Sequence, residues 1–325
     1  MSYFPSLLTI MVTLFFLLIV GYLARKLNII DSSASKHLSR LIISIGQPMM
    51  IISALNKVEF TKENLTIAWQ VTLISFAMHT LLSLLAFFLC KIYKKKNEAK
   101  IFEFGLVFAN CGFIGFPIMD SILGDGIGSF MGAFYVISFH LFIWTWGLLI
   151  LGRGREDIKL TPKKILFNYG TVPCTIGVLV FFLKPLIPVP TWLAPVWFDG
   201  ALGRFMEYLG GLCTPISVLI TGSLLATVSL KKTVRNPRLY AHSFFKLLLL
   251  PMIACVLAKL CGLSDVYILL CTAMAAMPGA ATITMLAELY DIEPGLASET
   301  VGVTSLLATG TLPLMMFFAD LVIRM

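Results

Sequence analysis

Charge is scarce in this sequence: Asp, Glu, Lys and Arg make up only 13% of its 325 residues, against about 25% in soluble globular proteins. Histidine is rarer still, with four residues. The seven cysteines, Cys90, Cys111, Cys174, Cys213, Cys255, Cys261 and Cys271, never stand in CxxC spacing. Zinc sites need clustered thiolates or imidazoles, so no metal and no cofactor is expected, and the thiols read as small buried hydrophobes. The intramembrane protease signatures HExxH, GxSG and GxGD are missing too. These gaps argue against a soluble enzyme, a nucleic-acid-binding domain, a disulfide scaffold and a membrane enzyme. What is plentiful is apolar: 58% of residues are hydrophobic, and the mean hydropathy is +0.91. A membrane helix with its connection takes about 30 residues, which leaves room for roughly ten spans.

Apolar stretches fall at about 5–24, 37–55, 66–90, 101–122, 128–151, 163–183, 205–228, 240–262, 266–289 and 295–322. They predict an all-α polytopic membrane protein of ten helices. The first run has no basic region before it and no small-residue cleavage site after it, so it is expected to stay as a helix. Lys and Arg orient the spans. Eighteen of them fall in the odd-numbered connections, among them Arg25, Lys26, Lys95, Lys96, Arg153, Lys159, Lys163, Lys164, Lys231, Lys232 and Arg238. Five lie on the other face: Lys57, Lys62, Lys184, Arg204 and Arg324. Lys246 and Lys259 are expected near helix ends, with their stems snorkelling outward. The net charge of +8 is therefore a topology signal, with both termini outside a plasma (inner) membrane. The Pro- and Trp-bearing stretch Lys184–Gly200 reads as an outer loop, and Asp120 and Asp125 as solvated residues of another outer turn.

The span count divides at the basic linker 152–164, giving halves 1–151 and 165–325. The second span holds Gln47-Pro48 and the seventh Thr214-Pro215; the fourth holds Gly115-Phe116-Pro117 and the ninth Met277-Pro278-Gly279. The two prolines are 69 residues apart in the first half and 63 in the second. An odd number of spans per half turns the second half over, so an inverted repeat of five helices is predicted. Proline removes a backbone donor and glycine lets the chain leave helical geometry. Paired interrupted spans in corresponding positions point to a transporter's binding site, and each break opens a half-helix N-terminus that attracts anions.

At Phe108-Ala109-Asn110-Cys111-Gly112-Phe113-Ile114-Gly115-Phe116-Pro117 the chain resembles the auxin efflux carrier family, whose plant members are the PIN carriers. Leu247-Leu248-Leu249-Leu250-Pro251, Ala275-Ala276-Met277-Pro278 and Ala287-Glu288-Leu289-Tyr290 support the resemblance, which covers the whole chain. At Cys111 the family often has threonine, and threonine is more usual than Gly279 after Pro278. The resemblance implies a fold like that of bile-acid symporters and sodium–proton antiporters, with spans four and nine crossing at their breaks. Spans one, two, six and seven would form a scaffold, and three to five with eight to ten a moving transport domain. It further implies carboxylate transport (auxin, malate, malonate), an elevator motion and a homodimer through the scaffold.

Candidate substrate-binding residues are Asn110, Gly112, Gly115, Pro117, Pro278, Gly279, Thr282, Thr284, Gln47 and Thr214. A buried amide costs a few kcal/mol without partners, so Asn110 either contacts substrate or ties the breaks together. Gln47 and Thr214 either face the site or satisfy the adjacent proline break. Thr282 and Thr284 either bind substrate or bond back to their own helix. His140, and less so His79, is either a proton carrier near neutral pH or a neutral core histidine. Glu288 is expected at the interface, about 15 Å along the helix from Pro278. No Asp or Glu lies at either break, where ion-coupled carriers place one, and no Lys or Arg is expected at the membrane centre. An uncoupled carrier for a small organic anion follows, with proton coupling left open. Its rivals are a sodium- or proton-coupled symporter or antiporter and a carrier-fold receptor; the receptor would be expected to bring a signalling domain.

Overall fold

The computed structural model describes residues 4–124, 126–158, 160–228 and 235–325; Asp125, Lys159, Lys231 and Lys232 lie outside them. Among the described residues seven helical segments are long and apolar enough to cross a membrane. We number the helices α1 (Phe4–Lys26), α2 (Ser32–Asn56), α3 (Lys62–Ile92), α6 (Ile127–Gly152), α9 (Ala201–Thr227), α10 (Pro237–Leu260) and α13 (Pro294–Arg324). Between them lie α4 (Lys96–Val107), α5 (Gly115–Leu123), the short α7 (Pro162–Leu166), α8 (Thr171–Leu186), α11 (Asp265–Ala276) and α12 (Thr282–Leu289). At about 1.5 Å per residue, the 23 residues of α1 reach about 35 Å, enough for a hydrocarbon layer of about 30 Å. Neither α4 nor α5 is long enough alone, and the same holds for α11 and α12.

Local chemistry sets the ends. Asp31 caps α2 by accepting from Ala34 N at 2.6 Å, and Thr61 caps α3 by accepting from Asn64 N at 3.1 Å. The expected sixth span, from about residue 163, is interrupted instead. Asn168 Oδ1 accepts from Gly170 N and Thr171 N at 2.9 and 2.8 Å, which ends α7 and starts α8. Asp120 is no freely solvated turn residue: its carboxylate accepts from Gly126 N, Ser129 N and Ser129 Oγ, tying the end of α5 to the start of α6. Gly126 has φ +87°, which favours glycine there.

Helix α1 packs on α9, and α2 on α8 and the start of α9. Small residues permit the contact: a Cβ on Gly21 would stand 2.1 Å from Leu219 O, and one on Gly222 2.1 Å from Leu18 O. The remaining helices form a second cluster, α3 against α4 and α6, α10 against α11, and α13 against α11. At one end of that cluster Arg153 forks onto the buried Glu103, Arg238 pairs with Glu98, and Lys100 donates to Leu151 O at 3.2 Å. Arg155 donates to Asp157 at 2.8 Å and to Tyr290 O at 3.1 Å. That hydrogen bond holds the Asp157 carboxyl down to about 2.

Candidate functional site

The site is built where two helices stop. Between α4 and α5 the chain runs through 108–114, with Phe108 extended, and between α11 and α12 through 277–281, with Met277 extended. Backbone released from a helix in an apolar interior must find other partners. These two segments find each other. Asn110 N donates to Pro278 O at 2.8 Å and Ala280 N to Phe108 O at 2.9 Å, an antiparallel bridge centred on Ala109 and Gly279. Gly279 N is held by Thr304 Oγ1 at 3.2 Å.

A cavity of about 20 Å³, room for one water, sits against this bridge. Gln47, Asn110, Gly112 and His140 line it, and Phe116 and Thr282 bring the first turns of α5 and α12 to its wall. Asn110 is 4% exposed, and its Nδ2 has no hydrogen-bond partner. An amide NH₂ only donates, so this is a buried donor without an acceptor. Gln47 Nε2 donates to His140 Nε2 at 3.0 Å, which leaves the proton of the neutral ring on Nδ1. The ring lies flat against Gly170, where a Cβ would come within 1.9 Å of Nδ1. Both partners flank π-turns, Ile42–Gly46 before Gln47 and Ile143–Gly147 after His140; such bulges concentrate at functional sites.

Other candidates stand elsewhere. Thr284 Oγ1 donates to Ala281 O at 2.7 Å, within its own helix. Thr214 Oγ1 donates to Phe113 O at 2.5 Å, joining α9 to the break. Thr214 and Pro117 line a separate, open cavity of about 360 Å³ with Lys57, Asp120 and Glu207. Pro278 faces a small apolar cavity with Met11, Leu14 and Val218, and Gly115 packs on Met274. Glu288 is exposed and 3.8 Å from Lys36. His79 is buried, its Nδ1 2.8 Å from Ser75 O within its own helix.

The structure corrects a further expectation. Lys246 does not snorkel: it is fully buried, in the π-turn Phe245–Leu249 of α10, and Nζ donates to Leu106 O at 3.2 Å. An amine therefore stands at the C-terminal turn of α4, where helix carbonyls carry partial negative charge. His242, one turn earlier, is also fully buried, and neither ring nitrogen has a partner. Lys246 lies nine residues into the 24-residue α10, too deep for its stem to reach an end easily. Among the described residues no group of His, Cys, Asp and Glu is placed to hold a metal ion.

The sequence model of a family described as membrane transport protein matches residues 6–316. An uncharacterized transporter of Methanothermobacter thermautotrophicus is 22% identical over 92% of this chain and 93% of its own length. One from Methanocaldococcus jannaschii is 23% identical over 89% and 91%. The uncharacterized transporter YfdV of Escherichia coli K12 is 19% identical over 94% and 95%.

Proposed function

Because the chain belongs to this membrane transport protein family, the auxin efflux carriers, we propose that it carries a small organic anion, a carboxylate of the malate, malonate or auxin type, across the plasma membrane by an elevator motion. The observation that carries the anion reading is Asn110: a buried donor, without an acceptor, on a cavity flanked by two half-helix N-termini. A carboxylate supplies the missing acceptor. No carboxylate side chain lines that cavity, which speaks against the sodium-coupled alternative. Lys246, behind the bridge, balances charge that the site brings inward.

The elevator reading draws on the packing. We take α1, α2, α8 and α9 as the scaffold and the second cluster as the transport domain, with α4–α5 and α11–α12 as the broken fourth and ninth spans of ten. The two halves, about 1–151 and 165–325, are then inverted repeats, and a homodimer would meet through the scaffold. Among the described residues, ion pairs such as Arg153–Glu103 and Arg238–Glu98 stitch the transport domain internally, while polar contacts across the seam include the Gln47–His140 and Thr214–Phe113 hydrogen bonds and the Lys36–Glu288 ion pair. Such contacts break and reform easily.

The test is thermal unfolding of the purified protein with malate, malonate, succinate, lactate or indole-acetate, against the uncharged diamide of malonate. A ligand that binds the folded state alone stabilises it by about 2.7 kcal/mol at a hundredfold excess over Kd. A concentration-dependent rise in Tm with one carboxylate, absent with the diamide and lost in Asn110→Ala, is expected. A rise kept in Asn110→Ala, or given equally by the diamide, would contradict the proposed site.

A further inference from the structure

The small cavity at the bridge and the open cavity of about 360 Å³ are neighbours, and their linings share two side chains, Met50 and Phe116. We propose that Met50 and Phe116 form the gate between them and set the size of what reaches the bridge.

The two side chains come from different bodies. Met50 is on α2, held close to α9 because Gly210 has no side chain there: a Cβ would stand 2.7 Å from Met50 Cα. Phe116 is on α5, 3% exposed, its ring laid over Gly132 of α6, where a Cβ would stand 2.8 Å from the ring. One leaf therefore moves with α2 and α9, the other with α5 and α6. Displacement of one pair past the other parts the leaves, which are both apolar and have no side-chain hydrogen bond to lose; the bonds that the motion breaks are Gln47–His140 and Thr214–Phe113. Methionine suits the half-buried leaf, because its unbranched thioether chain adapts to what passes. Lys57, Asp120 and Glu207 line the open side, so a polar solute meets charged side chains up to the leaves and the bridge only beyond them.

What passes the gate rests on the transport reading; the gate itself does not, and thiol labelling tests it without substrate. In a background with the exposed Cys261 replaced by serine, Thr282→Cys reports on the small cavity. Gly211→Cys, where a Cβ meets nothing within 4 Å, reports on the open one. The probe is a small sulfonate methanethiosulfonate on detergent-purified protein. Thr282→Cys should label slowly with the gate intact. Met50→Ala, Phe116→Ala or Phe116→Leu should each speed it on the order of tenfold, equivalent to a barrier lowered by about 1.36 kcal/mol. Gly211→Cys should label fast throughout, which also reports that each variant keeps its folded vestibule. Labelling of Thr282→Cys as fast as that of Gly211→Cys with the gate intact would overturn the proposal. So would an unchanged rate at 282 in those variants that keep fast labelling at 211.

Discussion

At the scale of single residues, three side chains carry opposite expectations for function and for stability. Asn110 has an unmet donor in the free protein, so Asn110→Ala should cost little stability and abolish ligand binding. Lys246 is a fully buried amine donating to one backbone carbonyl. Replacing buried charge by an apolar side chain of similar volume is neutral or stabilising by about 1–4 kcal/mol. Lys246→Met should therefore keep or raise Tm while reducing anion transport at least tenfold; a large fall in Tm with transport intact would refute its charge-balancing role. For His140 the lever is its neighbour. Gly170→Ala drives a methyl into the ring and should break the Gln47 bond, so Gly170→Ala and Gln47→Ala should affect transport non-additively in a double-mutant cycle. Much of this cluster was legible beforehand, because a polar amide, glycines and a proline within one apolar span have few structural explanations. Lys246 was not, because a lysine inside Phe245-Lys246-Leu247 reads the same whether it reaches outward or inward. Only the packing of α10 against α4 decides it. The sequence likewise left Thr284 open between ligand and its own helix, and a hydroxyl 2.7 Å from Ala281 O is used locally.

At the scale of helices, the seven long membrane-crossing helices among the described residues were readable from continuous apolar runs, and the interruptions at 108–114 and 277–281 from their glycine and proline. Their hydrogen bonding to each other was not readable, since it joins residues far apart in the chain and leaves no periodicity. The break between α7 and α8 was missed because Asn168, which makes it, acts through its side chain on the backbone of Gly170 and Thr171. Close helix contact supplies a stability test. A side chain at Gly222 would meet the carbonyl of Leu18, and overpacking of this kind costs about 1–3 kcal/mol. Gly222→Leu should lower Tm clearly, whereas Gly310→Leu, with nothing within 4 Å, should not.

At the scale of the whole molecule, the account is of two bodies sharing a seam, with the bridged breaks in one of them. If one body slides, joining the two must stop transport. Lys36 and Glu288 lie 3.8 Å apart across the seam. A disulfide or short crosslink between Lys36→Cys and Glu288→Cys should abolish transport, and reduction should restore it; undiminished transport in the crosslinked protein would exclude the sliding motion. The most direct measurement of the central claim is the transient current from proteoliposomes on a solid-supported membrane, with carboxylates applied in the presence and absence of sodium and pH gradients. The account predicts a saturable current for one carboxylate, independent of both gradients and lost in Asn110→Ala. A current that requires a cation gradient, or one that survives Asn110→Ala, would contradict it.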